Sequence, residues 1–463
     1  MTADVTQSFV DFLTNIRTLS VPPEGWAAVR IGFTDCIGVM VAGLDEPVTG
    51  ALARVVAADG GTPEARVLLS AAKAPAANAA MVGSGAAHAL DFDDWAFSCH
   101  PSAVLVPAIV AESETVGASG RDMALAYLAG YEVWAKLMGR EPDHHYAKGW
   151  HPTGTFGPVG VAAAIAVLHK LDATTARNAL GIAASHGGGV MANFGTMTKP
   201  YHGGRSAQAG IVAVRLAKAG VDASAHAIEA KNGLLFAVSP GGRVDLETPI
   251  ADMGKVWYVE KAGLNVKRYP TVGASQRCAD AAIQLHTTVK PDLAAIARVV
   301  PRVSPRHAEV MPYHRPTTGL QAKFSLEAIV ALGLLYGNVG LAELSDAVVQ
   351  RRDVQALIGK VAIELSADDD PEFPNGARFD TVRVEMIDGR AVTSPEVRRH
   401  RGHGQNPLTA DELWQKFRMC TAAKLDERAA RTLFERLQRI DELESAAEIP
   451  TLETIPAPSR GAG

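Results

Sequence analysis

Hydrophobic spacing over the first 265 residues predicts one helix after another. Apolar residues recur at helical intervals from Phe9 to Ile16. Pro22 and Pro23 then interrupt the chain, and because Pro is favoured in the first turn of a helix, a second helix is predicted over 26–44. Further helices are predicted over residues 74–90, 102–115, 120–138, 154–171, 173–184 and 205–218. Several are apolar on nearly all sides, which is typical of helices inside a large bundle.

The pattern changes near Tyr269. Short β-branched runs follow at 297–300, 360–365 and 381–386, and the last leads into Asp388 and Gly389, a strong hairpin signal. Helical pattern returns at Thr409, which resembles the start of a capping box. We therefore predict a mainly α protein with a large all-helical domain and an inserted, smaller α+β lid domain. The predicted boundaries are residues 1–266 plus 403–463 for the helical domain and 267–402 for the lid domain.

Composition narrows the class of protein. A chain of 463 residues is too long for one small core, and two domains are expected. The net charge of −5 and the lack of a basic run argue against a nucleic-acid partner. The apolar windows 103–111 and 159–168 are shorter than the roughly 20 residues of a membrane span, and no secretory signal is evident, so we expect no membrane partner and a cytoplasmic location. Four scattered cysteines indicate neither a disulfide framework nor structural zinc.

A cluster of polar residues between 88 and 102 stands out because its surroundings are apolar. It contains the carboxylates Asp91, Asp93 and Asp94 and the imidazoles His88 and His100. Burying an unpaired charge costs several kcal/mol or shifts its pKa. The cluster therefore indicates either structural pairing or chemistry.

Three later segments carry further candidates. His151 precedes a long apolar run, and an imidazole at a helix N-terminus tends to stay neutral, so it could act as a base or remain purely structural. Lys199 precedes Pro200 and is expected in extended backbone, either as a solvated side chain or as a general base with a lowered pKa. Arg205 follows two glycines near a predicted helix start, where an anion could bind. Tyr146 could transfer a proton or simply pack.

Motifs for organic cofactors and metals are missing from the sequence. The glycines before Arg205 have the wrong spacing for a phosphate-binding loop, and neither a Gly-x-Ser-x-Gly elbow nor a His-Glu-x-x-His motif occurs. We therefore predict acid–base chemistry on a small anion without a cofactor or a metal.

In their order along the chain, these segments resemble the MmgE/PrpD family, which includes 2-methylcitrate dehydratase, cis-aconitate decarboxylase and iminodisuccinate epimerase. The segments that carry the resemblance are 88–94 (HALDFDD), 100–102 (HPS), 149–157 (GWHPTGTFG), 199–207 (KPYHGGRSA), 267–270 (KRYP) and 323–325 (KFS). The resemblance implies a helical domain, a lid, an active site between them and a homodimer. It also implies active-site positions at Asp91, His100, His151 and Lys199.

Two departures from the family bear on the activity. Dehydratases and decarboxylases of the family tend to have Thr after the Asp-Phe-Asp-Asp motif, whereas this chain has Trp95. The lid commonly supplies a His where this chain has Gln276, whose amide does not titrate usefully. Dehydration needs an acid at the leaving oxygen, so this departure weakens the dehydratase hypothesis.

The leading hypothesis is an epimerase of a small polycarboxylate such as iminodisuccinate. Lys199 and Tyr146 would exchange the α-proton on opposite faces, with His100, His151 and Asp91 orienting them. The substrate carboxylates would contact Arg205, His202, Arg268 and Gln276. The alternatives are a lyase on the same scaffold, either a 2-methylcitrate dehydratase or a cis-aconitate decarboxylase, and a binding protein without catalysis.

Overall fold

The first 262 residues build a bundle of helices in the computed structural model, which describes residues 3–368, 370–372 and 376–452. The helices of this region are α1 (Val5–Asn15), α2 (Pro23–Ala42), α3 (Pro47–Asp59), α4 (Ala76–His88), α5 (Pro101–Val116), α6 (Gly120–Met138), α7 (Pro152–Leu168), α8 (Ala173–Ala184), α9 (Thr198–Lys218), α10 (Leu234–Val238) and α11 (Tyr258–Ala262). A small hairpin of β1 (Ala65–Arg66) and β2 (Lys73–Ala74) lies between α3 and α4. The helices predicted over 120–138 and 173–184 are confirmed at both ends.

Small residues allow the central helices to pack closely. Every residue of α7 is buried, and a Cβ on Gly160 would lie 2.9 Å from the indole of Trp134 on α6. A Cβ on Gly130 would lie 2.8 Å from the carbonyl oxygen of Gly160. Such contacts leave no room for a larger side chain, which explains the Ala- and Gly-rich composition of these helices.

Helix α9 begins earlier than predicted and changes the setting of two candidate residues. It starts at Thr198, so Lys199 and Pro200 lie in its first turn, and the prediction of extended backbone there was wrong. Pro is tolerated in a first turn because its missing N–H would have had no partner within the helix. Arg205 consequently lies inside α9 rather than near its N-terminus, so the predicted anion site at that helix end was also wrong.

The chain from Gln276 to Thr393 contains six α-helices and the four strands of one sheet among its described residues. The helices are α12 (Gln276–Thr288), α13 (Pro305–Glu309), α14 (Gly319–Ala322), α15 (Leu326–Tyr336), α16 (Asp346–Val349) and α17 (Arg352–Ile358), and the strands are β3 (Ile296–Val303), β4 (Glu364–Leu365), β5 (Thr381–Met386) and β6 (Ala391–Thr393). The sheet order is β4-β3-β5-β6, with β3 parallel to β4 and antiparallel to β5. The predicted strand at 381–386 is confirmed, whereas only the last two residues of the run at 360–365 form a strand.

The predicted hairpin at Asp388 and Gly389 is confirmed. Strands β5 and β6 pair in antiparallel fashion, and the Met386 N–H donates to the Arg390 carbonyl oxygen at 2.8 Å. Gly389 has a φ of 87°, a left-handed conformation that favours glycine.

Two hydrophobic cores organise the molecule. One joins buried residues between Ala3 and Val266 to residues of α18 (Ala410–Thr421), α19 (Glu427–Leu437) and the segment after them. The other lies between Tyr269 and Val384 and packs α12 and α15 on the sheet. The molecule is mainly α, as predicted. The domain boundaries stay a prediction, and residues 453–463 of the helical range lie outside the described part of the chain.

Helix α2 belongs to a longer apolar segment than the sequence analysis recognised. Residues 23–45 are long and apolar enough to cross a membrane, whereas the sequence analysis expected only shorter windows. In the structure 72% of that apolar window is buried, and the α2 side chains belong to the first core.

Candidate active site

The loop between α4 and α5, residues 89–100, carries most of the polar cluster in an unusual backbone conformation. Asp91, Phe97 and Ser98 have φ values of 50°, 39° and 62°, which are uncommon for residues with a side chain. Hydrogen bonds hold the loop in place: Trp95 N–H donates to the Asn265 carbonyl at 3.0 Å, and Asn265 N–H donates back at 2.9 Å. Strained backbone of this kind persists only where its surroundings fix it, and it concentrates at functional sites.

Asp93 orients two imidazoles at once. His88 Nδ1 donates to Asp93 Oδ1 at 2.9 Å, and His100 Nδ1 donates to Asp93 Oδ2 at 2.7 Å. The Nε2 atom of each neutral ring is therefore an acceptor. Burial lowers the pKa of His88, and it lowers the pKa of His100 to about 3, so both rings are neutral near pH 7. Burial opposes ionisation of Asp93, but the two imidazoles hold its pKa well below the usual value.

Asp91 joins two lysines that come from distant parts of the chain. Lys199 Nζ lies 2.8 Å from Asp91 Oδ1, and Lys267 Nζ donates to the same oxygen at 2.9 Å and to the Asp91 carbonyl at 2.8 Å. Burial alone would raise the pKa of Asp91, but the two ammonium groups hold it far below its usual value. Lys199 Nζ also donates to His88 Nε2 at 2.9 Å, and burial lowers the Lys199 pKa. Two cations thus share one carboxylate.

A cavity of about 80 Å³ opens beside this cluster. Its lining combines three cationic side chains, Lys199, Lys267 and Arg306, with aromatic and aliphatic ones. We call the polar cluster on one side of the cavity the charged floor: His100, Lys199 and Lys267 line the cavity, and His88, Asp91 and Asp93 contact them from behind. We call the opposite side the lid-side wall, comprising Val272, Gly273, Ala274, Arg306, His307 and Val310.

Three of the predicted catalytic residues, Lys199, Tyr146 and His100, line the cavity. Asp91 and His151 lie behind it, fully or nearly fully buried. His151 is the N-cap residue of α7, as predicted, and burial lowers its pKa well below the usual value, so its ring is neutral. His151 Nδ1 lies 3.0 Å from Nδ1 of His202, a predicted substrate-binding residue that is likewise absent from the described cavity lining.

The other predicted substrate-binding residues lie elsewhere than the described cavity lining. Arg205 donates to Gln208 Oε1 at 3.1 Å on its own helix. Arg268 is exposed, with its guanidinium 5.8 Å from the ring centre of Tyr269. Gln276 is fully buried, and its amide donates to the Tyr269 carbonyl at 3.0 Å. These hydrogen bonds show that Gln276 stabilises the turn formed by residues 269–276.

Tyr146 lines the cavity in a setting that does not suit a base. Its hydroxyl donates to the Ser98 carbonyl at 3.2 Å, and its ring packs edge-on against Phe194 at 5.8 Å. Burial raises the Tyr146 pKa. A tyrosine with a raised pKa keeps its proton, so it cannot pair with Lys199 as the second base of an epimerase.

Sequence reasoning missed Lys267 and Arg306 as site residues. Lys267 stands beside Arg268 in the KRYP segment, and only its burial distinguishes the two cations. Arg306, in the first turn of α13, donates to Ser98 Oγ at 3.0 Å from across the cavity. The resemblance of the KRYP segment could have indicated Lys267, but no motif surrounds Arg306.

The charged floor also has the composition of a metal site. His88, Asp91, Asp93 and His100 each offer one ligand atom, and these atoms lie within 4.8 Å of one another. However, both Asp93 oxygens accept hydrogen bonds from imidazoles, and the Asp91 Oδ1 atom already has two ammonium partners. A further cation would be repelled by those lysines, so the residues fit an ion-pair network better than a metal. The absence of a metal stays a prediction.

Helix α18 supports the loop from behind. Lys416 donates to the Phe92 carbonyl at 2.7 Å and lies 4.2 Å from the centre of the Phe92 ring. The same ammonium lies 2.6 Å from Asp35 Oδ1 on α2. Phe92 stands between Asp91 and Asp93, so this contact fixes the backbone that presents both carboxylates.

Two models of known protein families together match most of the chain. Residues 7–247 match the MmgE/PrpD N-terminal domain, and residues 269–441 match the MmgE/PrpD C-terminal domain. The protein belongs to the MmgE/PrpD family, which confirms the resemblance noted in the sequence.

Several curated relatives of the chain are named cis-aconitate decarboxylase. The chain is 29% identical to a cis-aconitate decarboxylase of Homo sapiens over 396 residues, covering 83% of this chain and 80% of the relative. It is 29% identical to that of Mus musculus over 388 residues, covering 82% and 78%. It is 24% identical to a cis-aconitate decarboxylase of Aspergillus terreus over 481 residues, covering 98% and 96%. These relatives are lyases, so the epimerase hypothesis and its assignment to iminodisuccinate were wrong.

Proposed function

We propose that the protein is a carbon–carbon lyase that decarboxylates a small unsaturated polycarboxylate, with cis-aconitate as the candidate substrate. The observation that carries the proposal is a cavity lined by three cations, Lys199, Lys267 and Arg306, together with apolar side chains. The names of the relatives support the same reaction class. The protein would work without an organic cofactor, because its own cations and buried proton donors meet the needs of this reaction. Homodimerisation and a cytoplasmic location stay predictions.

The cations would hold the carboxylates that the substrate retains. Lys199 and Lys267 share the single negative charge of Asp91, and the other carboxylate of the floor, Asp93, is bonded to the two imidazoles, so the two ammonium groups together have more charge than their shared partner. Arg306 faces it from the lid-side wall and can bind a second carboxylate through two N–H groups. Held at both ends, the substrate would have its remaining carboxylate directed at the space between floor and wall.

The apolar part of the lid-side wall suits the carboxylate that leaves. Val272 and Val310 line the cavity together with Phe194, and none of them can stabilise a negative charge. A departing carboxylate becomes neutral carbon dioxide, so an apolar surface disfavours the reactant relative to the transition state. The carbon–carbon bond breaks, its electron pair forms a new carbon–carbon double bond, and the displaced π pair takes a proton at the carbon next to a retained carboxylate.

Lys199 would supply that proton. Burial lowers its pKa, which makes its ammonium group a stronger acid than an exposed lysine. His100 also lines the cavity, but with a pKa of about 3 it holds no second proton near pH 7. In this assignment His88 and Asp91 position the Lys199 ammonium, since each lies within 2.9 Å of it.

The test is to incubate the protein with cis-aconitate in deuterated water while measuring released carbon dioxide and the NMR spectrum. We expect one equivalent of carbon dioxide per turnover, one deuteron in the product and none in recovered substrate. Lys199→Ala should abolish release, whereas Lys255→Ala, which removes an exposed lysine, should not change it. Loss or gain of water without carbon dioxide would instead assign the protein to the hydro-lyases, and no turnover of cis-aconitate would reject this substrate.

A further inference from the structure

A second and larger cavity lies directly beyond the first. It has a volume of about 340 Å³, against about 80 Å³ for the inner one. The two cavities share four lining residues: Trp95, Ser98, Gly273 and His307. Trp95 is the largest of these side chains, so it forms the main partition between the two spaces.

The partition is built from both sides of the molecule. The backbone of Trp95 is bonded in both directions to Asn265, and Asn265 Nδ2 also donates to the Trp95 carbonyl at 3.0 Å. The indole lies against the 271–275 turn, where a Cβ on Gly273 would stand only 3.0 Å from its Cε2 and Nε1 atoms. The indole also stacks with His400, with ring centres 6.3 Å apart and planes 29° apart. These contacts hold the indole between the cavities.

The edge of the indole that faces Gly273 carries a hydrogen-bond donor with no acceptor. Trp95 Nε1 is buried and has no partner among the described residues, and the same holds for Nε2 of the buried His400. Buried polar groups are nearly always satisfied, so such atoms call for an explanation. A ligand carboxylate at the boundary between the two cavities would accept a hydrogen bond from the indole.

The outer cavity favours anions. Arg399 is paired with Asp370 at 2.6 Å and with Glu372 at 2.8 Å, which uses the two carboxylates of the lining. Lys261 also lines this cavity, and no carboxylate in the described chain lies within 4.0 Å of its ammonium group. A negatively charged group that reached this space would therefore meet a cation without a close partner.

We propose that Trp95 is a specificity-determining residue that limits the length of the substrate. It confines a polycarboxylate to the inner cavity and keeps a longer, negatively charged arm out of the outer one. This inference rests on the proposed function only for the class of ligand, a small polycarboxylate. It gives the departure at Trp95 a physical role, since a smaller residue there would leave the two cavities continuous.

The experiment measures binding rather than turnover, so it stands apart from the test of decarboxylation. Titration calorimetry would compare two saturated acids that cannot react in the same way: propane-1,2,3-tricarboxylate and pentane-1,2,5-tricarboxylate, whose one arm is longer by two methylenes. We expect the wild-type protein to bind the shorter acid more tightly, and Trp95→Leu to shift the ratio of the two dissociation constants at least about tenfold toward the longer acid.

Two control variants test whether the shift in the ratio of dissociation constants is specific to Trp95. Trp150→Leu removes an equally large side chain outside both cavity linings and should leave the ratio unchanged. Lys261→Ala, added to Trp95→Leu, should weaken binding of the longer acid and not of the shorter one. If thermal unfolding shows that Trp95→Leu does not fold, Trp95→Phe provides the same comparison with a smaller expected shift.

The proposal is overturned if the folded variant keeps the wild-type ratio, or if the wild-type protein already binds both acids equally well. By contrast, a wild-type protein that releases no carbon dioxide from cis-aconitate, yet shows the shift in the calorimeter, would overturn the proposed reaction and leave the role of Trp95 intact.

Discussion

The two sides of the inner cavity differ in how many polar groups they contain and in how these groups are paired. On the charged floor each residue is bonded to at least one other member of the floor, and Asp93 accepts from two imidazoles. The lid-side wall combines aliphatic side chains and a glycine with two polar groups, the guanidinium of Arg306 and the imidazole of His307. A change on the floor therefore disturbs several groups at once, because its members hold each other in place. The wall contacts this network less, through the hydrogen bond from Arg306 to Ser98, so a change there should act mainly on the substrate.

This contrast suggests that the two regions affect different kinetic constants. The floor would set the rate of the chemical step, since it contains the proton donor and the groups that position it. The wall would set which substrate binds and how its carboxylates lie. Substitutions in the two regions should then separate in kinetics, with kcat falling for the floor and KM rising for the wall.

The largest effect is expected for Lys199→Arg. Arginine keeps the positive charge but holds its proton across the whole accessible pH range, so it can bind a carboxylate without protonating carbon. We expect kcat to fall by about 10²–10⁴-fold. Steady-state kinetics measure this, with Lys255→Arg as the matched control. Turnover near the wild-type rate in a correctly folded variant would remove Lys199 from the role of proton donor.

The pH dependence of the wild-type protein tests the same proton. In the proposed mechanism the active form of Lys199 is protonated, so we expect kcat to fall as the pH rises through its pKa, which burial lowers from the usual value of about 10.4. His100, with a pKa of about 3, stays neutral and adds no step between pH 5 and pH 8. A pH profile of kcat that falls toward acid through a pKa near 6.5 would contradict this assignment.

A smaller effect is expected in the wall for Arg306→Lys. Lysine keeps the charge but cannot bind a carboxylate through two parallel hydrogen bonds. Loss of one charge-assisted hydrogen bond, worth about 1.5–3 kcal/mol, should raise KM by roughly tenfold or more with little change in kcat. Arg298→Lys, at an exposed position of β3, is the matched control. A fall in kcat with KM unchanged would place Arg306 among the groups of the chemical step.

The smallest effect is expected for Val272→Thr, which keeps the shape of the wall and adds a hydroxyl. A hydroxyl can donate to the departing carboxylate and stabilise it before it becomes neutral carbon dioxide, so kcat should fall by roughly threefold to tenfold. Val289→Thr, at an exposed site, controls for the substitution itself. A rise in kcat would show that the departing carboxylate does not face Val272.

The contrast between floor and wall also decides what could be foreseen from the sequence. His100, Lys199 and Asp91 lie in short polar segments within apolar stretches, and burial of such groups requires partners. The hairpin at Gly389 follows from local turn chemistry alone, and the N-cap position of His151 follows from the proline after it. Features that depend on residues close in the sequence could therefore be predicted.

The wall depends on residues that meet only in the folded chain. Arg306 reaches Ser98 across 208 positions of sequence, and nothing around it marks it as a cavity residue. Gln276 was expected in the site, yet its amide is taken up by backbone groups of its own turn. Lys199 was assigned to extended backbone because Pro200 follows it, but a proline in the first turn leaves a helix intact.

The contact between Lys416 and Phe92 has a consequence for how the protein is made. Asp35 and the loop around Phe92 emerge from the ribosome more than 300 residues before the ammonium group that joins them. Until α18 has been synthesised and has docked, that loop lacks one of the contacts that hold its two carboxylates in place. A nascent chain should therefore acquire a competent site only after α18 has been synthesised and has packed against α2 and the loop.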